Sequence, residues 1–348
     1  MDCPFALDLP FWHIVFSGLK ALGGNFYDFW TSCLTSWYNI IMITITSTVE
    51  SVEQAKALLD AGADRLYIGE AAYGLRVPTA LTYDELREIT ELAHQANKTV
   101  TVAVNALMHT EMMSKIKPFL DFLVEIKADR IAVGDAGVIF VLQRDKYKLP
   151  FIYDASTMVA SSRQANFWAE QGAVEAVLAR EIPKEELSDM KGSLRIPGEV
   201  LVYGATVIHH SKRPLVQNYY NFIKTEETGK NRERNLFVSE PKKEDTHYSI
   251  FEDNHGTHVF ANDDINMMTE LKQLTEMGFD RWKLDGIFTR GENFVQIVKL
   301  FVEAKMLIET GQFTELKAFQ LEEEVRKLHP LGRTMSHGFY DLDKNAIK

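Results

Sequence analysis

The sequence predicts an α/β protein built as an eight-stranded β/α (TIM-like) barrel, and three observations predict it. Strand-like and helix-like stretches alternate from Met42 onward, and regular alternation implies parallel strands joined through helices. About eight such units occur, roughly 20–45 residues apart. A short phrase also recurs: "GADRLYIGE" at 62–70, "KADRIAVGD" at 127–135 and "GFDRWKLDG" at 278–286. Each copy turns a helix end into a strand that runs out at a glycine and an acid: Glu70, Asp135 and the pair Asp285–Gly286. An open doubly wound sheet is the alternative. One unit written several times favours closure, which gathers every strand C-terminus at a single mouth.

The elements follow in order. "MITIT" from Met42 is a strand, and "STVESVEQAKALLDAG" is a helix with Val52, Ala55, Leu58 and Leu59 as its apolar stripe. "DRLYIGE" is the second strand. "TYDELREITELAHQAN" is a helix whose Thr82 and Glu85 have capping-box spacing. "KTVTVAVNA", "DRIAVGD", "PFIYDAST", "VEAVLARE", "GEVLVYG" and "DRWKLDG" supply the remaining strands, with "MSKIKPFLDFLVEIK" a helix among them. The barrel spans 42–310, with a polar insertion at about 222–254, and a C-terminal helix and tail follow at 311–348.

Composition narrows the chemistry. The chain has 348 residues, 46% hydrophobic and 25% charged, which suffices for a sizeable core. A net charge of −11 argues against free-standing nucleic-acid binding but leaves room for a local basic site. No run reaches transmembrane length. The two cysteines, Cys3 and Cys33, precede Met42. The main body therefore has no thiol nucleophile, Cys-ligated zinc or Cys-held iron–sulfur cluster. Without a disulfide framework or clear export signal, a cytoplasmic location is expected. Residues 1–41 carry ten aromatics, one Lys and no Arg. They read as an N-terminal appendage outside the fold; an aromatic cap on the body and a membrane contact are the alternatives.

The strand ends supply the candidate site. Glu70, Asn105, Asp135, Asp154, Ser156, Thr157, Arg180, Glu181, Tyr203, Lys283 and Asp285 fall at the mouth. Charges of both signs in one cleft suit a polar, anionic or zwitterionic ligand. Arg180 follows a buried apolar run in "VLARE" and has the geometry to clasp a carboxylate or phosphate, or to pair with a neighbouring acid. Any one terminal acid has an equal claim to capping the next helix. The densest polar and aromatic stretch is "YGATVIHHSKRPLVQNYYNF", 203–222, with His209, His210, Lys212, Arg213, Asn218, Tyr219 and Tyr220. It reads either as a base or phosphate contact or as a loop packed over the mouth. "HGTH" at 255–258 lacks the spacing of a zinc hydrolase. The nucleophile-elbow, phosphate-loop and dinucleotide motifs are absent, and Asp135-Ala136-Gly137 is an isolated echo of an aspartic protease motif.

Taken together, the phrases "AGADRLYIGEAAYGLR" (61–76), "VAVNALMH" (102–109), "DAST" (154–157), "VLARE" (177–181), 203–220, "DNHGTHVF" (253–260), "KLDGIF" (283–288) and "GRTMSHGFYD" (332–341) resemble the collagenase-like peptidases of unassigned catalytic type. The resemblance runs over nearly the whole chain from Met42 and places Tyr73 and Arg76 beside the other candidate ligand-binding residues. It implies a β/α barrel closed by a C-terminal docking segment. Several members act in hydroxylation: of tRNA wobble uridine at C5 with prephenate, of ribosomal RNA, or of a ubiquinone precursor. Those members hold an iron–sulfur cluster on four cysteines. Here Val207 and Pro214 stand where two of them belong, and "KLDGI" keeps the family's acid as Asp285 but replaces its arginine with Ile287. The chain is thus similar to the short, cysteine-free partner of a longer cluster-bearing paralogue in Gram-positive bacteria.

Two functions follow as expectations. The first is a subunit for prephenate-dependent C5-hydroxylation of wobble uridine, binding no cofactor itself, with prephenate as co-substrate and the paralogue and tRNA as partners. Arg180, Lys212, Arg213 and Lys283 would contact anions, while Glu70, Asp135 and Asp285 would orient the ligand. The second is a peptidase, for which no activated nucleophile is legible.

Overall fold

In a computed structural model, which describes residues 42–154 and 159–345, the expected alternation is explicit. In chain order, β1 (Thr44–Thr48), α1 (Val52–Asp60), β2 (Arg65–Gly69), α2 (Tyr83–Gln95), β3 (Thr99–Val104), α3 (Thr110–Glu125) and β4 (Arg130–Val133) are followed by α4 (Ala136–Arg144), β5 (Phe151–Tyr153), α5 (Ser162–Glu170), β6 (Ala173–Val177), α6 (Lys184–Met190) and β7 (Gly198–Ser211). Next come α7 (Leu215–Ile223), β8 (Phe237–Glu240), β9 (Lys243–Asp253) and β10 (Gly256–Asn266). The chain ends with α8 (Leu271–Glu276), β11 (Arg281–Leu284), α9 (Gly291–Glu309), α10 (Glu315–Leu328) and the short β12 (Thr334–Ser336). The appendage expected at 1–41 lies outside the described residues. Among the described residues no helix is long and apolar enough to cross a membrane.

Strands β1 to β7 pair in sequence, all parallel, and β11 pairs with β7 on one side and β1 on the other. The sheet is therefore a closed eight-stranded barrel, not an open doubly wound sheet. Local chemistry starts the helices where the sequence places them. Ser51 caps α1 through the Gln54 amide, and Thr82 and Glu85 form the reciprocal capping box of α2.

The recurring Asp-Arg phrase has a mechanical role at the lower end. Asp64 accepts the Ile45 amide at 3.0 Å, Asp129 accepts the Val100 amide at 2.8 Å, and the Asp280 carbonyl accepts the Thr44 amide at 2.8 Å. Each aspartate pins the start of its strand to a neighbour, satisfying backbone groups that a barrel rim leaves open.

Strand residues alternate between two different interiors. Ile45, Leu66, Ile68, Val100, Val102, Ile131, Val133, Trp282 and Leu284 face the helices and are fully buried, each such side chain contributing about 1.5–3 kcal/mol. The intervening Thr46, Arg65, Tyr67, Thr101, Glu175, Glu199 and Lys283 are buried too, so both faces of the sheet are shielded from water.

One expectation fails at β7. The stretch after Tyr203 reads as a loop because histidines and cations crowd it, yet the strand continues to Ser211. Up to Tyr203 it pairs in parallel with β11; beyond, it pairs antiparallel with β10. The switch occurs at Gly204, at φ +121°, where a Cβ would strike the Asp285 backbone. Ala205 and Val207 then pack with Phe251, Phe260 and Ile287 in a separate small core, which makes this segment a strand. The β-rich excursion therefore leaves the barrel at Gly204, earlier than the polar composition of 222–254 indicates. The C-terminal tail is held by β12 pairing with β10, by a fork from Arg333 to Asp264 at 2.8 and 2.5 Å, and by Lys184 N–H donating to the Tyr340 carbonyl at 2.9 Å.

Candidate functional site

The mouth is built from the residues that end β2, β3, β5, β6 and β11. Tyr67 points inward from β2; its hydroxyl lies 3.2 Å from Asp154 Oδ2 and accepts from Asn105 Nδ2 at 3.2 Å. Asn105 Nδ2 also donates to Asp154 at 2.9 Å, while its Oδ1 accepts the Leu75 amide at 2.9 Å. That last bond ties the 70–81 loop to the barrel, and this loop delivers Arg76 from a left-handed backbone at φ +55°. Lys283 Nζ sits 3.6 Å from the Tyr67 ring centroid and 3.9 Å from Glu199 Oε1, and Thr46 Oγ1 donates to Glu199 at 2.9 Å. Arg180 donates to the Ala205 carbonyl at 2.7 Å. No carboxylate among the described residues reaches ion-pairing distance of it.

The electrostatics follow from this crowding. Burial pushes Arg76 down to about 10, and the Arg180 guanidinium pushes the same way, against the pull of Asp154, Tyr67 and Asp285. Burial holds Asp285 above its ordinary value despite Arg180, Lys283, the Ile287 amide and Arg76. Burial also raises Tyr67 well above its ordinary value, with Asp154 and Glu199 adding to the effect, so its phenol stays a neutral donor. Three cations, Arg76, Arg180 and Lys283, thus meet three carboxyls, Asp154, Glu199 and Asp285, and burial biases the last two toward their neutral forms. The mouth collects buried charge of both signs within an acidic chain.

Beside the mouth lies a cleft of ≈ 330 Å³, lined by Arg76, Pro78, Arg232, Asn254 and His255. The β-rich excursion straps the 70–81 loop across it. His255 Nε2 lies 2.9 Å from the Ala71 carbonyl, and Arg232 donates to the Pro78 carbonyl at 2.5 Å. Behind the strap, His210 and His258 stack at 4.8 Å, with His258 Nε2 2.9 Å from Asp253 Oδ1. Among the described residues no group of three His, Cys, Asp or Glu is arranged to hold a metal.

The sequence candidates divide. Arg76, Asn105, Arg180, Lys283 and Asp285 converge at the mouth. Glu70 accepts the Ala72 amide at 2.8 Å, a local turn. Asp135 caps α4 through the Gly137 amide at 2.7 Å, which accounts for the protease-like triplet. Tyr73 is a core residue, stacked on Phe119 at 4.3 Å, with its hydroxyl on the Lys115 carbonyl. Glu181 is half-buried just beyond Arg180. His209 on β7, Lys212 and Arg213 in the turn after it, and Asn218 and Tyr219 on α7 are exposed, outside the mouth. Ser156 and Thr157 lie outside the described residues. Motif reading misses Tyr67 at the site and Glu199 in the layer beneath it, where Glu199 meets both Lys283 and Arg65. Their signal is a polar residue recurring at period two in a strand whose other positions are Leu, Ile or Val.

The positions that would hold an iron–sulfur cluster do not fit one. Val207 is buried in the small apolar core, and Pro214 precedes α7. Neither offers a thiolate. Ile287, in place of arginine, is buried in the same core.

The chain is 29% identical over 303 residues to tRNA hydroxylation protein P2 of Bacillus subtilis, covering 86% of this chain and 96% of that one. It is 24% identical over 241 residues to tRNA hydroxylation protein P1 of the same organism, covering 68% of this chain but only 56% of that one. Among solved structures, the U32 peptidase Mk0906 is 17% identical, covering 47% of this chain and 70% of that one at a TM-score of 0.41. A profile described as Peptidase family U32 matches residues 50–348, and the chain belongs to that family.

Proposed function

We propose that this chain is a subunit of a tRNA-modification system, the prephenate-dependent C5-hydroxylation of wobble uridine, acting in the cytoplasm with a cluster-bearing paralogue. The carrying observation is the charged mouth: Arg76, Arg180 and Lys283 beside Asp154, Glu199 and Asp285, the last two biased by burial toward their neutral forms. Prephenate bears two carboxylates, and two guanidiniums at one rim suit them through forked, charge-assisted hydrogen bonds. Asp285, which burial holds above its ordinary value, would adjoin the ligand, and Tyr67 and Asn105 hold Asp154 in place. The names of the P1 and P2 relatives, two proteins of one bacterium, support both the RNA reading and the pairing. No step is routed through an iron–sulfur cluster on this chain, because Val207 and Pro214 offer it no thiolate.

The test is mass spectrometry of tRNA nucleosides from a strain lacking the gene. Loss of C5-hydroxyuridine, restored by the wild-type gene and not by an Arg76→Gln, Arg180→Gln variant, is the expected result. Unchanged hydroxylation in the deletion strain ends the reading.

One observation favours a peptidase. Thr269 Oγ1 lies 3.2 Å from His337 Nε2, and His337 Nδ1 lies 2.7 Å from Asp341 Oδ2, the order of a nucleophile, base and acid. This chain of contacts also docks the tail, and the cavity that includes His337 is only ≈ 40 Å³. Gelatin left intact by the pure protein removes the peptidase reading; cleavage that Thr269→Ala abolishes would install it.

A further inference from the structure

We infer that α7 and the basic turn before it form an RNA-docking face, on which an unpaired loop lies while one of its bases approaches the mouth. The inference rests on the tRNA reading above and names the surface that reading requires. Residues 200–225 contain no acid, the longest such run in a chain that carries 49. Three cations fall within it: Lys212, Arg213 and Lys224, all exposed. The charge of this run is opposite in sign to the molecule's net −11, and of the acids that adjoin it Glu227 is paired with Arg234 and Glu252 with Lys230.

The same stretch displays aromatic surface that the fold does not use. Helix α7 buries Val216 and Tyr220 against the β-rich excursion and exposes Leu215 at 37%, Tyr219 at 59% and Phe222 at 82%. These three positions recur at i, i+4 and i+7, so they line one outward stripe. A stripe of large apolar side chains held in water marks an interaction surface. Its cationic flanks specify the partner. Phosphates pair with Lys and Arg, and unstacked bases lie on aromatic rings, the combination that captures single-stranded nucleic acid. A purely apolar protein groove would cover the aromatics but desolvate the neighbouring cations without compensation.

The face adjoins the site. Lys212 Nζ donates to the Asn254 carbonyl at 2.9 Å, and Asn254 lines the cleft that also contains Arg76. His210, two residues before Lys212, is close enough to Arg76 to feel its charge. A strand of RNA held at α7 is therefore anchored beside the mouth.

The experiment uses the full chain and a fluorescently labelled hairpin RNA with a uridine-rich unpaired loop, followed by anisotropy at several salt concentrations. The same sequence in fully paired form is the comparison. Saturable binding that prefers the open loop is expected. The double variant Tyr219→Ala, Phe222→Ala should weaken it about tenfold or more with an unchanged salt slope. Lys212→Gln, Arg213→Gln should lower the slope of log affinity against log salt by about 1–2. These side chains are exposed, so the variants should melt as the wild type does. Binding that is absent, indifferent to both variants, or equal for loop and duplex overturns the inference. So does an aromatic variant that keeps its RNA affinity but no longer co-elutes with the paralogous protein, since the face would then be a protein contact. If RNA binding depends on Phe222 while deletion of the gene leaves tRNA hydroxylation intact, the docking face stands and only the proposed function falls.

Discussion

At the lower end of the barrel, Arg65 forks onto Glu175 at 2.9 and 3.1 Å and reaches Glu199 at 3.6 Å. Arg130 approaches the same Glu175 at 3.7 Å. At the mouth, Arg180 uses one donor on a carbonyl and faces Arg76, a like charge, across the opening. One end forks its arginine onto carboxylates inside the fold; at the other, Arg180 has no carboxylate within ion-pairing distance among the described residues. Groups that disfavour one another in the free protein are what a ligand of opposite charge stabilises, and such sites trade stability for function. The difference teaches that the number of arginines at a barrel end says little. How completely the fold answers them separates scaffold from site.

The largest effect should come from breaking the paired end. Arg65→Ala leaves Glu175 buried with only the longer contact to Arg130 and is expected to cost about 3 kcal/mol, a large share of an ordinary domain's stability. Arg180→Ala removes one hydrogen bond and relieves Arg76, so about 1 kcal/mol or less is expected. Urea unfolding of both variants measures the contrast directly. Equal losses would mean that the mouth is as much scaffold as the lower end.

Ligand affinity should show the reverse order. Arg76→Gln and Arg180→Gln should each weaken prephenate binding by roughly tenfold or more, the worth of about 1.5–3 kcal/mol for a charge-assisted hydrogen bond. Arg180→Lys should recover only part of it, because an ammonium cannot fork onto a carboxylate. Isothermal calorimetry on the purified chain reads these values. Affinities unchanged by either glutamine would remove the anion from the mouth.

The two ends should also answer pH with opposite slopes. At the lower end, burial pushes Asp64 up, but hydrogen bonds from Lys305, Lys98 and the Ile45 amide outweigh it and hold the carboxyl below its ordinary value. Its contribution is complete above the unfolded value near 3.9 and fades as pH falls through the lower folded value. At the mouth, Asp285 is held above its ordinary value by burial. As pH climbs past about 4, the unfolded chain loses that proton first, so stability falls until the folded carboxyl ionises too. Asp285→Asn should therefore raise the melting temperature at neutral pH and remove the falling limb. Asp64→Asn should lower it and remove the rising limb. Melting curves from pH 3 to 8 test both, and a falling limb that survives Asp285→Asn assigns it elsewhere.

The fold was legible because the code for a β/α unit is local. The capping box at Thr82 and Glu85, the apolar stripe of α1 and the Asp-Arg turns need no distant partner to be read. The site was only partly legible. Arg180 betrayed itself as a charge after an apolar run, and Asp285 as the end of a repeated phrase. Tyr67 and Glu199 stayed hidden because they lie inside strands whose other face is apolar, and only closure turns that inner face into a polar lining. The continuation of β7 past Gly204 was hidden for a different reason. Its inward partners, Phe251, Phe260 and Ile287, lie about 45 residues or more further along the chain, so no local pattern announces the small core that makes it a strand.

The smallest effect separates acids that look alike in the sequence. Asp135 and Asp285 both close a copy of the repeated phrase, yet Asp135 Oδ1 accepts the Gly137 amide at 2.7 Å and its Oδ2 accepts the Met108 amide at 3.2 Å. One oxygen caps the start of α4, where a carboxylate also meets the positive end of the helix dipole, and the other ties down the loop before α3. Asp135→Ala should cost about 1 kcal/mol, within the 0.5–2 kcal/mol range of lost N-caps, and Asp135→Ser should restore most of it by capping in the same way. Prephenate affinity should be unchanged in both, since neither oxygen faces the cluster of Arg76, Arg180 and Asp285. A loss of affinity in Asp135→Ser, which keeps the cap, would move this acid from the scaffold into the site and redraw the boundary between the two.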